Sequence, residues 1–153
     1  MDTAPQPTPS DYPLHVTETL RFADTDRHGH ITNSVFAVCC QTARVAFLED
    51  PERPLAPPGT QFVLARLDIA FRHALHWPGT VDIGTRIARI GRSSVAFEQA
   101  LFRLDRCVAT ANSVVVLTEL VSRRSTALPE PLARLFEAFT TPVVDPLFEA
   151  DAS

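Results

Sequence analysis

Between Arg21 and Leu48 the chain reads RFADTDRHGHITNSVFAVCCQTARVAFL, and here the residues that could do chemistry lie closest together. Two carboxylates (Asp24, Asp26), two imidazoles (His28, His30) and a glycine (Gly29) stand directly before an apolar run with helical spacing. A helix start presents unpaired backbone N–H groups and a partial positive charge. A carboxylate beside such donors suits a reaction in which water or the carboxylate attacks a carbonyl and an oxyanion develops. The plainer reading is that Asp24 and Asp26 cap turns, as loop aspartates commonly do. Asp24 fits that role better, holding the loop by accepting backbone hydrogen bonds. Gly29 supplies either a positive φ or room for close approach.

Other reactive side chains carry less. Carboxylate and imidazole can ligate divalent ions, but their alternation in one short loop fixes no facial geometry, and no metal is expected. Cys39 and Cys40 are consecutive in the helical run, which fits packing better than nucleophilic work. Ser93 and Ser94 have no histidine and acid at a recognisable spacing, so a serine triad is not supported. Arg86, Arg89, Arg92, Arg103 and Arg106 gather around one hairpin, either to meet phosphate or as a solvated strand face. Arg44, inside the apolar run, must find a partner or reach solvent.

The elements that would position these groups follow from periodicity. Leu14 to Phe22 alternates as a first strand, with Leu14, Val16, Leu20 and Phe22 on the inner face. A helix spans Asn33 to Glu49, capped by Thr32 or Asn33, and is apolar enough around its circumference to be largely buried. Pro51, Pro54, Pro57, Pro58 and Gly59 end it. Strands follow at Gln61–His73 (Val63, Ala65, Leu67, Ile69 and Phe71 on one face), Thr80–Ile90, Ser94–Leu104 and Cys107–Val121. The run Val114–Leu117 predicts cover on both faces of the last strand. A short helix spans Leu128 to Phe139. The order predicts an α+β fold, a five-stranded antiparallel sheet wrapped around one long helix with a short C-terminal helix. Residues 1–12 read as a disordered or loosely docked leader, 13–140 as the domain, and 141–153 as a loose tail. Exposed sheet edges predict at least a dimer.

Composition narrows the class. With 153 residues and 45% hydrophobic content, one domain with a proper core is expected. The net charge of −4 argues against a nucleic-acid binder, and all fourteen basic residues are arginine. No membrane span or signal peptide is evident, which predicts a cytoplasmic protein. The three cysteines suit free thiols rather than disulfides.

The run Asp24, Asp26, Gly29, His30, followed by Asn33, Phe36 and Ala43-Arg44, resembles the hotdog-fold acyl-CoA thioesterases, in particular those related to 4-hydroxybenzoyl-CoA thioesterase. The likeness continues in Gly91-Arg92-Ser93-Ser94 and Leu128-Pro129. The resemblance implies hydrolysis of acyl-CoA or acyl-carrier-protein thioesters with no cofactor, by a homodimer or homotetramer. It implies that Asp26 is the general base or nucleophile. Gly29, His30, Thr32, Asn33 and Ser34 would form the active-site loop and oxyanion donors, and Arg92 with Ser93 would meet coenzyme A. Phe36 stands where tyrosine is usual, and Gln41-Thr42 replace a frequent acidic pair. The alternative is a non-catalytic acyl-thioester binding or structural protein of the same fold.

Overall fold

The computed structural model describes residues 5–140; the expected loose tail, 141–153, lies outside them. Five strands, β1 (Leu14–Thr19), β2 (Thr60–Phe71), β3 (Thr80–Ile90), β4 (Ser94–Arg103) and β5 (Arg106–Glu119), form one antiparallel sheet in the order β1-β3-β4-β5-β2. Helix α1 (Asn33–Leu48) packs on one face of the sheet, chiefly over β3 and β1, and α2 (Glu130–Glu137) packs on the same face. This is the expected hotdog arrangement. Among the described residues no helix is long and apolar enough to cross a membrane.

The inner face carries Val81, Ile83 and Ile87 of β3, Val95, Phe97 and Leu101 of β4, and Val115 and Leu117 of β5, all fully or nearly buried. Phe36, Cys39, Cys40 and Ala43 of α1 pack on one end of this face, while Phe47 joins Phe97, Leu132 and Phe136 at the other. Burying one such phenylalanine contributes about 1.5–3 kcal/mol, so the two aromatic-rich clusters anchor α1 and α2 to the sheet.

Four expectations change. α1 was expected to be buried over most of its surface, yet Val38 and Val45 are 56% and 40% exposed. The helix lies closer to β3 and β1 than to β2, so part of its β2-facing side stays uncovered. Within β2 the expected single face of Val63, Ala65, Leu67, Ile69 and Phe71 is broken, and the inner residues begin as Phe62 and Leu64. An irregularity between Leu64 and Arg66 then shifts the register by one, so that Leu67, Ile69 and Phe71 face inward. Phe22 leaves the strand in a short 3₁₀ turn and is 72% exposed. Val114 and Val116 are only half-buried, because the cover on the outer face reaches other residues.

That cover is the N-terminal segment, where order begins before Pro13. Pro9–Asp11 form a 3₁₀ turn, and Tyr12 is buried against Ala100, Phe102 and Cys107. Its ring lies edge-on to Phe102, with centroids 5.9 Å apart, and the Arg86 guanidinium stands 4.9 Å from its centroid. Gly84 makes the space, since a Cβ there would sit 2.7 Å from the tyrosine ring. An aromatic ring over a glycine gap explains why a proline-rich, polar segment docks at this point.

Candidate active site

The loop between β1 and α1 is built around its two aspartates. Asp24 is buried, and its carboxylate accepts hydrogen bonds from the Arg21 backbone N–H (2.8 Å) and from the Arg21 guanidinium (2.8 Å to Nη2). Its carbonyl accepts from the N–H of Thr32, which ties the loop to the helix start. The Arg21 hydrogen bonds hold the Asp24 carboxyl below the usual carboxylate range.

Asp26 is arranged differently. Its Oδ1 accepts from the N–H groups of His28 (2.8 Å) and His30 (3.0 Å), while its own N–H donates to the His30 carbonyl (2.7 Å). Among the described residues no donor meets Oδ2. Desolvation pushes the Asp26 pKa up, but the His28 and His30 N–H groups and the charges of both imidazoles outweigh it, leaving the carboxyl below its ordinary value. Gly29 closes this turn with φ +80°, and nothing lies within 4 Å of where its Cβ would be. Its requirement is therefore the left-handed backbone, not close approach.

Thr32 precedes α1 with an extended backbone and no side-chain cap. The Val35 N–H turns back to the Thr32 carbonyl (2.9 Å), and the N–H groups of Asn33 and Ser34 have no acceptor among the described residues. A cavity of about 260 Å³ opens here, walled by Asp26, His30, Asn33 and Phe36 on one side and by the segment Phe71–Leu75 on the other. An ionised carboxylate with a free oxygen and a helix start thus share one cavity, an arrangement suited to attack on a carbonyl beside oxyanion donors.

Of the residues singled out in the sequence, Asp26, His30 and Asn33 line the cavity; Gly29 shapes the Asp26 turn, Thr32 holds the N-cap position without a side-chain hydrogen bond, and Ser34 lies one residue inside the helix. Arg92 and Ser93 are elsewhere. They form the β3–β4 turn, whereas the Asp26 loop adjoins the opposite end of β3, where the Leu20 N–H donates to the Gly79 carbonyl. At about 3.3 Å per residue the length of β3 puts them roughly 30 Å apart within one subunit. The Phe71–Leu75 wall was not found from the sequence. The Leu75 carbonyl accepts from the Ile31 N–H (2.7 Å), the rings of His30 and His76 meet at 4.9 Å, and the Arg106 guanidinium lies 2.9 Å from His73 Nδ1. His73 and His76 were the only available signal, and their contact partners are far away in sequence.

Cys39 and Cys40 are buried free thiols, raised by burial to about 11 and about 12, which removes them from nucleophilic chemistry.

The family model of the thioesterase-like superfamily matches residues 20–136. Among solved structures, the PA5185 protein from Pseudomonas aeruginosa is 25% identical, with a TM-score of 0.81 over 91% of this chain and 99% of that one. A thioesterase from Thermus thermophilus, crystallised with coenzyme A and zinc, is 27% identical, with a TM-score of 0.69 over 82% and 97%. A DHNA-CoA thioesterase from Staphylococcus aureus, 16% identical with a TM-score of 0.72 over 82% and 87%, shares the fold. No curated protein matches the sequence.

Proposed function

The chain belongs to the thioesterase-like superfamily and is a thioester hydrolase, and we propose that it cleaves acyl-CoA or acyl-carrier-protein thioesters at the Asp26 cavity. The observation that carries this reading is the unequal bonding of the Asp26 carboxylate beside the cavity that Asp26 lines, with Oδ1 fixed by two N–H groups and no donor on Oδ2 among the described residues. Oδ2 removes a proton from water as the water oxygen bonds to the thioester carbon, or attacks that carbon itself to give an anhydride that water then opens. The carbonyl oxygen becomes an oxyanion facing the N–H groups of Asn33 and Ser34. Collapse of the intermediate breaks the C–S bond, and the thiolate leaves and takes up a proton. Nothing in this sequence of steps requires a cofactor.

The coenzyme A bound to the Thermus thermophilus relative supports a CoA thioester as substrate. Arg92 and Ser93, too distant within one subunit, would meet its phosphates from a second subunit. The exposed Val38 and Val45 of α1 and Val63 and Leu64 of the edge strand β2 form the apolar surface on which that subunit would pair.

The test is thiol release from short, aromatic and long acyl-CoA esters by the purified protein, alongside Asp26→Asn. The expected loss in kcat for the variant is about 10²–10⁴-fold. No thiol release by wild type would identify an acyl-thioester binding protein, and a fully active variant would remove Asp26 from the mechanism.

A further inference from the structure

A second cavity, of about 160 Å³, lies on the same seam between α1 and β2, at the C-terminal half of the helix. Val45, Leu48, Phe62, Leu64 and Val115 give it apolar walls beside the polar Gln41, and Arg44 opens onto it. Arg44 is 5% exposed and has no carboxylate partner among the described residues. Among the described residues its one hydrogen bond runs from Nη1 to Gln99 Oε1 (3.2 Å). Gln99 is itself committed, its Nε2 donating to the Cys40 carbonyl and to Thr85 Oγ1, both at 3.0 Å. This network holds the guanidinium in place but does not neutralise it. Removal from water disfavours its charge, and a buried cation without an anion is costly. Glu49 also borders the cavity without pairing to Arg44, so an entering anion would meet one like charge at the rim.

We propose that this cavity is the far end of the acyl site and that Arg44 receives a carboxylate borne on the distal end of the acyl chain, making ω-carboxyacyl thioesters the preferred substrates. For the reacting end the inference rests on the hydrolase reading of Asp26. The geometry gives a length. Between Asn33 and Arg44 the helix rises about 16 Å, the span of an extended chain of roughly a dozen carbons. Leu67 and Ile69, half-buried on the inner face of β2, lie between the two cavities and supply an apolar floor. A guanidinium can hold a carboxylate in two parallel hydrogen bonds, which a methyl-terminated chain cannot return.

The experiment separates binding from turnover. Full-length protein is titrated calorimetrically with two thioether analogues that cannot be hydrolysed, S-(ω-carboxyundecyl)-CoA and S-dodecyl-CoA, of which only the first offers a carboxylate at the distal end. The carboxylate-bearing analogue is expected to bind at least about tenfold more tightly, the equivalent of one charge-assisted hydrogen bond. Arg44→Met and the cavity-filling Gln41→Trp should each abolish the difference, and Glu49→Gln should enlarge it. Gln41 lines the cavity and is exposed, so Gln41→Trp keeps the test usable if Arg44→Met fails to fold. Equal affinities, or a preference that survives Gln41→Trp, would overturn the Arg44 assignment. Such a result alongside hydrolysis of dodecanoyl-CoA by wild type leaves the Asp26 reading standing. A preference for the carboxylate-bearing analogue without hydrolysis of dodecanedioyl-CoA supports the Arg44 site and sinks the hydrolase role of Asp26.

Discussion

The two oxygens of Asp26 have different surroundings, and the difference sets how activity should respond to acid. Two backbone N–H groups on Oδ1 favour the ionised carboxylate, so its pKa lies below the ordinary 3.8. The ionised form is the one that can act as base or nucleophile. Activity should therefore persist as pH falls through the ordinary carboxylate range and be lost only below 3.8. A kcat/KM profile over short exposures to acid checks this, and an acid limb centred above that value would contradict the assignment. Asp24 is lowered too, so its contribution to stability is complete above its unfolded pKa and disappears as pH falls through the folded value. At this scale the sequence is informative: an aspartate before a glycine and a helix start are neighbours in the chain, and Asp26, His30 and Asn33 line one cavity. The segment Phe71–Leu75 was missed because its meeting with Ile31 and His30 is a tertiary contact, which no local spacing encodes.

At the scale of elements, the sheet and α1 were readable because alternation and helical period are local properties of the chain. The departures arise where one irregularity moves a whole set of residues. The shift between Leu64 and Arg66 exchanges inner for outer positions along β2, and a strict period of two could not anticipate it. Tyr12 over Gly84 is a similar case, since a single ring docks a segment whose composition suggests disorder. Gly84→Ala should destabilise the protein by about 1–3 kcal/mol, because its Cβ would press into the tyrosine ring. Tyr12→Ala should be destabilising alone, yet adding Gly84→Ala to it should cost much less than Gly84→Ala in wild type. Denaturant unfolding of the four proteins completes the cycle. Simple additivity would show that the ring and the glycine are energetically independent.

For the whole molecule, an exposed apolar surface follows the side of α1 turned toward β2 and the β2 edge itself. A subunit left alone would expose Val38, Val45, Val63 and Leu64 to water together with an unpaired strand edge. Wild type is expected to sediment as a dimer or larger. Val63→Glu, at the edge but away from both cavities, should shift it toward monomer and reduce turnover, because Arg92 and Ser93 would then be absent from each site. A monomeric wild type with full activity would exclude this arrangement.

The Tyr12 strap also makes Cys107 a reporter of motion. The thiol lies under the tyrosine on the outer face, while Cys39 and Cys40 lie beneath α1 on the inner one. Lifting a few N-terminal residues would uncover Cys107 alone, whereas the other two need the helix to leave the sheet. Time-resolved thiol modification followed by peptide mapping should find Cys107 labelled first, at a rate that Tyr12→Ala increases, giving a kinetic readout of each face of the sheet without any introduced label.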